Sequence, residues 1–134
     1  MNSIEIVPTE FVHQAWHYCS KFILDAMKHA KGECTAEQLL MQLAQGSNLL
    51  MLYREDDEIV GAVVGYFITA PNARIFYINA IGGKTSEEHT QKMFEYAKAN
   101  GATRVRGSAR ESVARLWRMK YGFESIYTTV EKVL

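Results

Sequence analysis

The sequence predicts an α/β domain, of the α+β kind, on a mixed β-sheet. Three observations lead there. Apolar runs of strand length alternate with segments whose apolar residues recur at three- and four-residue steps. Ile59 to Thr69 follows Asn48 to Tyr53 across the charged turn Glu55-Asp56-Asp57-Glu58, so these two runs form an antiparallel hairpin. Arg74 to Ile81 reaches Thr103 to Arg106 only through a helical stretch, which makes that pair a parallel βαβ unit.

The elements follow in order. Ser3 to Val7 alternates as a short strand. After Pro8-Thr9, Val12, Ala15, Trp16, Cys19, Phe22, Ile23 and Met27 form one apolar stripe, a helix that ends at Lys31-Gly32. Thr35 and Gln38 make a capping box for a second helix, which stops at Gly46. After the hairpin and the turn Ala70-Pro71-Asn72 comes the fourth strand. Thr85 with Glu88 predicts the cap of a third helix, buried through Met93, Phe94 and Ala97 and stopped by Asn100-Gly101. Ser108 with Glu111 predicts the cap of a fourth, buried through Val113, Leu116 and Trp117 and stopped by Gly122. Phe123 to Leu134 reads as a last strand, with Ile126, Val130 and Leu134 on one face. The order is β-α-α-β-β-β-α-β-α-β, over a single domain of residues 1–134.

Composition narrows the function classes. The chain is 48% hydrophobic and 22% charged with zero net charge, which favours neither a nucleic-acid nor a membrane partner. No run has the roughly 20 apolar residues of a membrane span. No basic flank precedes an apolar core, so no leader is expected. Cys19 and Cys34 stand in no metal-like spacing, which suits free thiols and a cytoplasmic location.

Gly82-Gly83-Lys84-Thr85-Ser86, between the fourth strand and the third helix, is where a phosphate would be expected to sit. Amides from Gly83 to Ser86, a helix N-terminus and the Lys84 ammonium would all favour one. The plain alternative is a turn in which Gly82-Gly83 reverses the chain. Glu87 and Glu88 add negative charge beside any phosphate, and also suit a first helical turn. The match to a nucleotide-binding P-loop is a fragment, because Ile78 stands where that motif needs a glycine.

With its elements in this order, the chain resembles the GCN5-related N-acetyltransferase superfamily over its whole length. The resemblance rests also on Gly61 in Ile59-Val60-Gly61, and on Ala114 to Phe123, which closes in Tyr121-Gly122-Phe123. The short turn after the fourth strand and the arginines before the last helix resemble bacteriophage members of that fold. The resemblance implies an acetyl-CoA-dependent N-acetyltransferase of unknown acceptor amine, with an acyl-CoA N-acyltransferase-like sheet. It implies that Ala80, Ile81, Gly82, Gly83, Lys84, Thr85 and Ser86 hold the cofactor. The family's signature there is an Arg or Gln and two spaced glycines; here the glycines are adjacent and earlier.

Many members carry a tyrosine proton donor where this chain has Arg118. The resemblance therefore leaves as catalytic candidates Tyr121, one turn away, which reads equally as a core or rim aromatic beside Gly122, and Arg118, which would stabilise a thiolate by charge. For the base, the fourth strand offers Tyr77 and Asn79 but no carboxylate, and His29 and Glu33 stand near the junction of the first two helices where the family binds acceptors, though each also reads as a surface residue. The other reading is a catalytically inactive member of the fold, acting in phage structure or assembly or as an interaction protein.

Other constellations give less. His13 and His17 are one helical turn apart with no third ligand, so no metal site is expected. Cys34 lacks a histidine partner in sequence. Arg104, Arg106, Arg110, Arg115, Arg118 and Lys120 make the C-terminal region basic, either as a solvated face or as an anion-binding patch. The exposed final strand offers pairing in a homodimer.

Overall fold

The structure, a computed structural model, describes residues 1–134. The first strand, β1 (Asn2–Val7), leads through a 3₁₀ turn (Thr9–Phe11) into α1 (Val12–Met27) and α2 (Ala36–Gln45). Three long strands follow: β2 (Leu49–Glu55), β3 (Glu58–Ala70) and β4 (Ala73–Gly83). Then come α3 (Glu87–Ala99), β5 (Arg104–Gly107) and α4 (Glu111–Tyr121). The five strands lie in the order β1-β2-β3-β4-β5. All neighbours are antiparallel except β4 and β5, which are parallel, so the sheet is mixed.

Each face of the sheet has its own core. The α1 stripe buries Val12, Cys19 and Ile23, α2 buries Leu39 and Leu43, and both pack on Leu50, Leu52, Ala62 and Val64. The alternate residues of the same strands, Met51, Tyr53 and Val63, point to the other face with Phe76 and Ile78. There they meet Met93 and Ala97 of α3. The sheet is thus a middle layer that buries both of its faces.

Some helix ends follow the sequence and others do not. Thr35 and Gln38 form the expected box, Gln38 N–H donating to Thr35 Oγ1 at 3.2 Å and Thr35 N–H to Gln38 Oε1 at 2.9 Å. α3, however, is capped by Ser86 rather than Thr85, the His89 N–H donating to Ser86 Oγ at 3.0 Å. α4 has no side-chain cap: it starts at Glu111 with Arg110 at its N-cap, and Ser108, two residues earlier, is bonded to the Tyr77 phenol. α4 buries no residue fully and leaves Leu116 exposed.

Two expectations are corrected outright. Phe123–Leu134 forms no strand; it runs on from α4 unpaired, and Glu124 to Leu134 are all exposed. Gly82 and Gly83 do not reverse the chain. They end β4, opposite Ala62 and Gly61. They are glycines because α1 and β3 come too close for side chains. A β-carbon on Gly82 would overlap the Phe22 carbonyl oxygen, and one on Gly83 the Val60 carbonyl oxygen, where φ is also +89°.

Gly82→Ala is therefore expected to cost about 1–3 kcal/mol of unfolding free energy, since no rotamer change relieves a clash with a main-chain oxygen. Urea denaturation measures it. A loss below about 0.5 kcal/mol, the range of ordinary surface changes, would mean that α1 does not press on β4.

Candidate functional site

The site begins where β4 leaves β5. The two strands pair only over Ile75–Ile78 and Arg104–Gly107. β4 then continues to Gly83 with no strand on its outer side. The divergence coincides with a bulge: Ile78 faces Gly65 and Ala80 faces Val64, leaving Asn79 as an extra residue. The Tyr77 hydroxyl and Ser108 Oγ form a hydrogen bond just past the end of β5. Asn79 Nδ2 donates to Asn48 Oδ1 at 3.3 Å, and Asn48 Nδ2 to Gln42 Oε1 at 3.0 Å. That amide chain ties the bulge to the C-terminal end of α2.

Beyond the bulge the hydrogen-bond alternation sets which groups face the gap. The Lys84 N–H donates to the Val60 carbonyl at 2.8 Å. Antiparallel pairing then gives Gly82 and Ala80 the inward bonds with β3 and turns the Ile81 and Gly83 amides outward. The expected row of free amides is thus reduced to alternate residues. The Lys84 ammonium, expected to meet a phosphate, pairs with Glu55 on the far side of the hairpin.

Ser86 and Thr85 lead into α3, whose first turn is tied to the sheet by a residue the sequence reading missed. His89 is fully buried; its Nε2 donates to the Arg54 carbonyl at 2.8 Å, and its Nδ1 lies 2.9 Å from Ser86 Oγ. Its ring stacks on Tyr53 with centroids 4.7 Å apart. The only signal available was its position three residues after a serine, overlooked because Thr85-Glu88 made the more familiar box. Asn2 Nδ2 also donates to Glu88 Oε2 at 3.3 Å, so β1 is held against the start of α3. Glu87 and Glu88 both remain exposed there.

Tyr53 is the least satisfied polar group in the fold. Its hydroxyl is buried and has no hydrogen-bond partner. Burial first, and then the nearby Tyr121 phenol, push its ionisation well above the ordinary tyrosine range. Tyr121 is half-buried in the last turn of α4. Arg118 is turned elsewhere: it pairs with Glu111 and donates to Ser125 Oγ at 2.9 Å. The structure thus binds Arg118 into a local ion pair.

The remaining candidates lie apart. His13, His17, His29 and Glu33 are exposed on the α1–α2 side, and no three metal-binding side chains cluster. A cavity of about 1010 Å³ is not the β4–β5 gap. It lies between the outer side of β5, α4 and the C-terminal segment, and its walls include Arg104, Arg106, Trp117 and Tyr127.

The fold is that of solved acetyltransferase structures. The chain is similar to an aminoglycoside acetyltransferase from an uncultured soil metagenomic sample, with 13% identity and a TM-score of 0.72, covering 99% of this chain and 96% of that one. It is also similar to a predicted acetyltransferase with acetyl-CoA from Clostridium acetobutylicum, with 15% identity and a TM-score of 0.66, covering 99% and 96%. A ribosomal-protein-alanine N-acetyltransferase from Brucella melitensis biovar Abortus gives 12% identity and a TM-score of 0.66, covering 100% and 98%. At such identities the likeness is one of fold. No protein-family model matches the sequence, and no curated protein does. No helix is long and apolar enough to cross a membrane.

The two thiols differ sharply. Cys19 is fully buried under α1, and burial pushes its thiol up to about 11. Cys34 is half-buried at the start of α2. In native protein at pH 8 a disulfide reagent is expected to titrate Cys34 alone, and both thiols only in denaturant. Prompt reaction of both would show that α1 opens. The same shift predicts alkaline sensitivity. Below the ordinary value of 9.0 both states keep the Cys19 proton; between there and about 11 only the unfolded chain loses it, so stability falls as pH rises.

Proposed function

We propose that the chain is an acetyl-CoA-dependent N-acetyltransferase acting on an amine. The observation that carries this reading is the open outer side of β4 beyond Ile78, with the Ile81 and Gly83 amides turned into it beside the start of α3. An extended thioester arm carries amides of its own and fits such an unpaired edge as an added strand would. The pyrophosphate end fits less well, because Glu87 and Glu88 stand at the α3 N-terminus and Lys84 is held by Glu55. The residues therefore suit the arm and its acyl group more than the nucleotide.

Bound there, acetyl-CoA would supply an acyl carbon already activated as a thioester. The amine nitrogen bonds to that carbon, the carbon–sulfur bond breaks, and the amine's proton must end on sulfur. Ile81 and Gly83 orient the arm. Ala80 and Gly82, their other neighbours on β4, spend their backbone bonds on β3 and hold that edge straight. Thr85 and Ser86 set where α3 begins. Tyr121 is the group for the proton on sulfur: it is a phenol, half-buried, and free of the ion pair that occupies Arg118. Tyr77 and Asn79 line the acceptor side of the gap.

A second reading has specific support. Lys84 and Arg118 are both paired with carboxylates, and β4 carries no acid to take a proton from the amine. A protein that keeps the fold as an interaction module would look like this.

Calorimetry with acetyl-CoA, followed by assay against a panel of amines, separates the two. We expect saturable binding that Ile81→Pro weakens about fivefold, since it removes one outward donor worth about 1 kcal/mol while leaving the β3 ladder intact. Tyr121→Phe is expected to lower kcat about a hundredfold with KM little changed. No heat from folded protein at saturating cofactor would sink the transferase reading.

A further inference from the structure

We infer that the acceptor is a weakly basic amine, of the class of the α-amino group of an amino acid or peptide, which arrives neutral and is held by the side-chain carbonyl of Asn79. This rests on the transferase reading and names its acceptor. It starts from the bulge in β4, where Asn79 is the extra residue and is exposed. Its amide nitrogen is committed: Nδ2 donates to Oδ1 of the buried Asn48 at 3.3 Å, and Asn48 Nδ2 donates to Gln42 Oε1 at 3.0 Å. The Asn79 Oδ1, which bonds nothing within the chain, is left for the gap. Bulges beside active sites commonly re-aim one side chain in this way. An amide oxygen accepts a hydrogen bond from an amine N–H, but it does not take the proton.

The elements around Asn79 supply no base for that proton. β4 and β5 hold no carboxylate, and the last turns of α2 offer Gln42 and Gln45. On α1, which crosses β4, Asp25 is paired with Lys28 at 2.9 Å. Glu55 is paired with Lys84, and Glu111 with Arg118. Ahead of α2, Glu33 accepts from the Lys31 N–H at 2.7 Å. Glu87 and Glu88 stand at the start of α3, on the opposite layer of the sheet. The Tyr77 hydroxyl is bonded to Ser108. Arg106 is the β5 residue in register with Tyr77, and a fixed positive charge there disfavours an ammonium.

An amine that reacts here must bring its own lone pair. At pH 7 about a tenth of an α-amino group, with a pKa of about 7.7–8.0, is neutral; of a lysine-type ammonium, with a pKa of about 10.4, only about one part in 2,500 is. The neutral nitrogen bonds to the thioester carbon and the carbon–sulfur bond breaks. Once the new bond forms the nitrogen is acidic, so its surplus proton passes to water. Sulfur gains one proton from Tyr121, which solvent then restores. Asn79 takes no part in these transfers; it holds the remaining N–H and so aims the lone pair.

Two acceptors test this with the intact protein and acetyl-CoA: alanylglycine amide, which offers an α-amine, and Nα-acetyl-lysine amide, which offers an ε-amine. At pH 7 kcat/KM is expected to be about tenfold higher for the dipeptide amide, the larger gap in neutral fraction being partly offset by the stronger nucleophile. For each acceptor kcat/KM is expected to rise about tenfold per pH unit and to level off at that amine's own pKa. Asn79→Ala, at an exposed position where folding is not at stake, is expected to raise KM for the amine about fivefold, with kcat and both pH profiles unchanged. In nitrogen-labelled protein without cofactor, the side-chain amide signals of Asn79 and Asn48 are expected to move as the dipeptide amide is added. Equal use of the two amines at pH 7, or one break shared by both profiles, would reveal a base of the enzyme and overturn the inference. So would still amide signals, or no transfer to the dipeptide amide by protein that binds acetyl-CoA. Failure to bind acetyl-CoA would sink the transferase reading and this inference with it.

Discussion

α1 crosses the end of β4 at backbone distance, and most of the fold is arranged around that crossing. The Phe22 carbonyl occupies the space where Gly82 would carry a side chain, and Gly83 is pressed in the same way by β3. The close approach lets Phe22, Ile23 and Met27 reach the core beneath them, where Leu50, Leu52, Ala62 and Val64 are buried. Packing is lost steeply with separation, so a helix lifted by one methyl group would forfeit many of these contacts. The adjacent glycines are therefore a requirement of packing before they are a feature of any site.

The crossing also decides what the end of β4 can offer a ligand. With one face under α1 and one edge bonded to β3, β4 beyond Ile78 has only its outer edge free. The Asn79 bulge opens that edge by ending the alignment with β5, and the Asn79–Asn48–Gln42 chain holds the bulge in place. On the opposite layer, His89 pins the start of α3 to β2 through the Arg54 carbonyl and Ser86, fixing how far the helix stands from the gap. His89 also stacks on Tyr53, whose buried phenol has no hydrogen-bond partner. The candidate site is what remains after α1, β3 and α3 have taken their contacts.

Much of this was legible in the sequence, and the failures have physical causes. The α1 stripe and the Thr35–Gln38 box were readable because both depend on short-range periodicity and local hydrogen bonds. The parallel β4–β5 pair was readable because a helical connection allows little else. Gly82-Gly83 was misread as a turn, since a close approach by a helix sixty residues earlier leaves no local trace. α3 begins one residue later than Thr85 suggests, so Ser86 caps it, and α4 begins only after Arg110, leaving Ser108 to bond the Tyr77 phenol. The segment after Gly122 has the composition of a strand yet stays unpaired, although the outer edge of β5 is free. Arg118 and Lys84 were candidates by position, and their carboxylate partners, Glu111 and Glu55, could not be paired with them by spacing alone.

The account's central claim is that ligand binding uses the outward edge of β4, at Ile81 and Gly83, and not the cavity beside β5. Amide resonances of nitrogen-labelled protein titrated with acetyl-CoA test this most directly. The account predicts that the Ile81 and Gly83 amides move furthest and saturate together, with smaller movements at the start of α3. Movement confined to Arg104, Arg106 and Tyr127, or none at all, would contradict it.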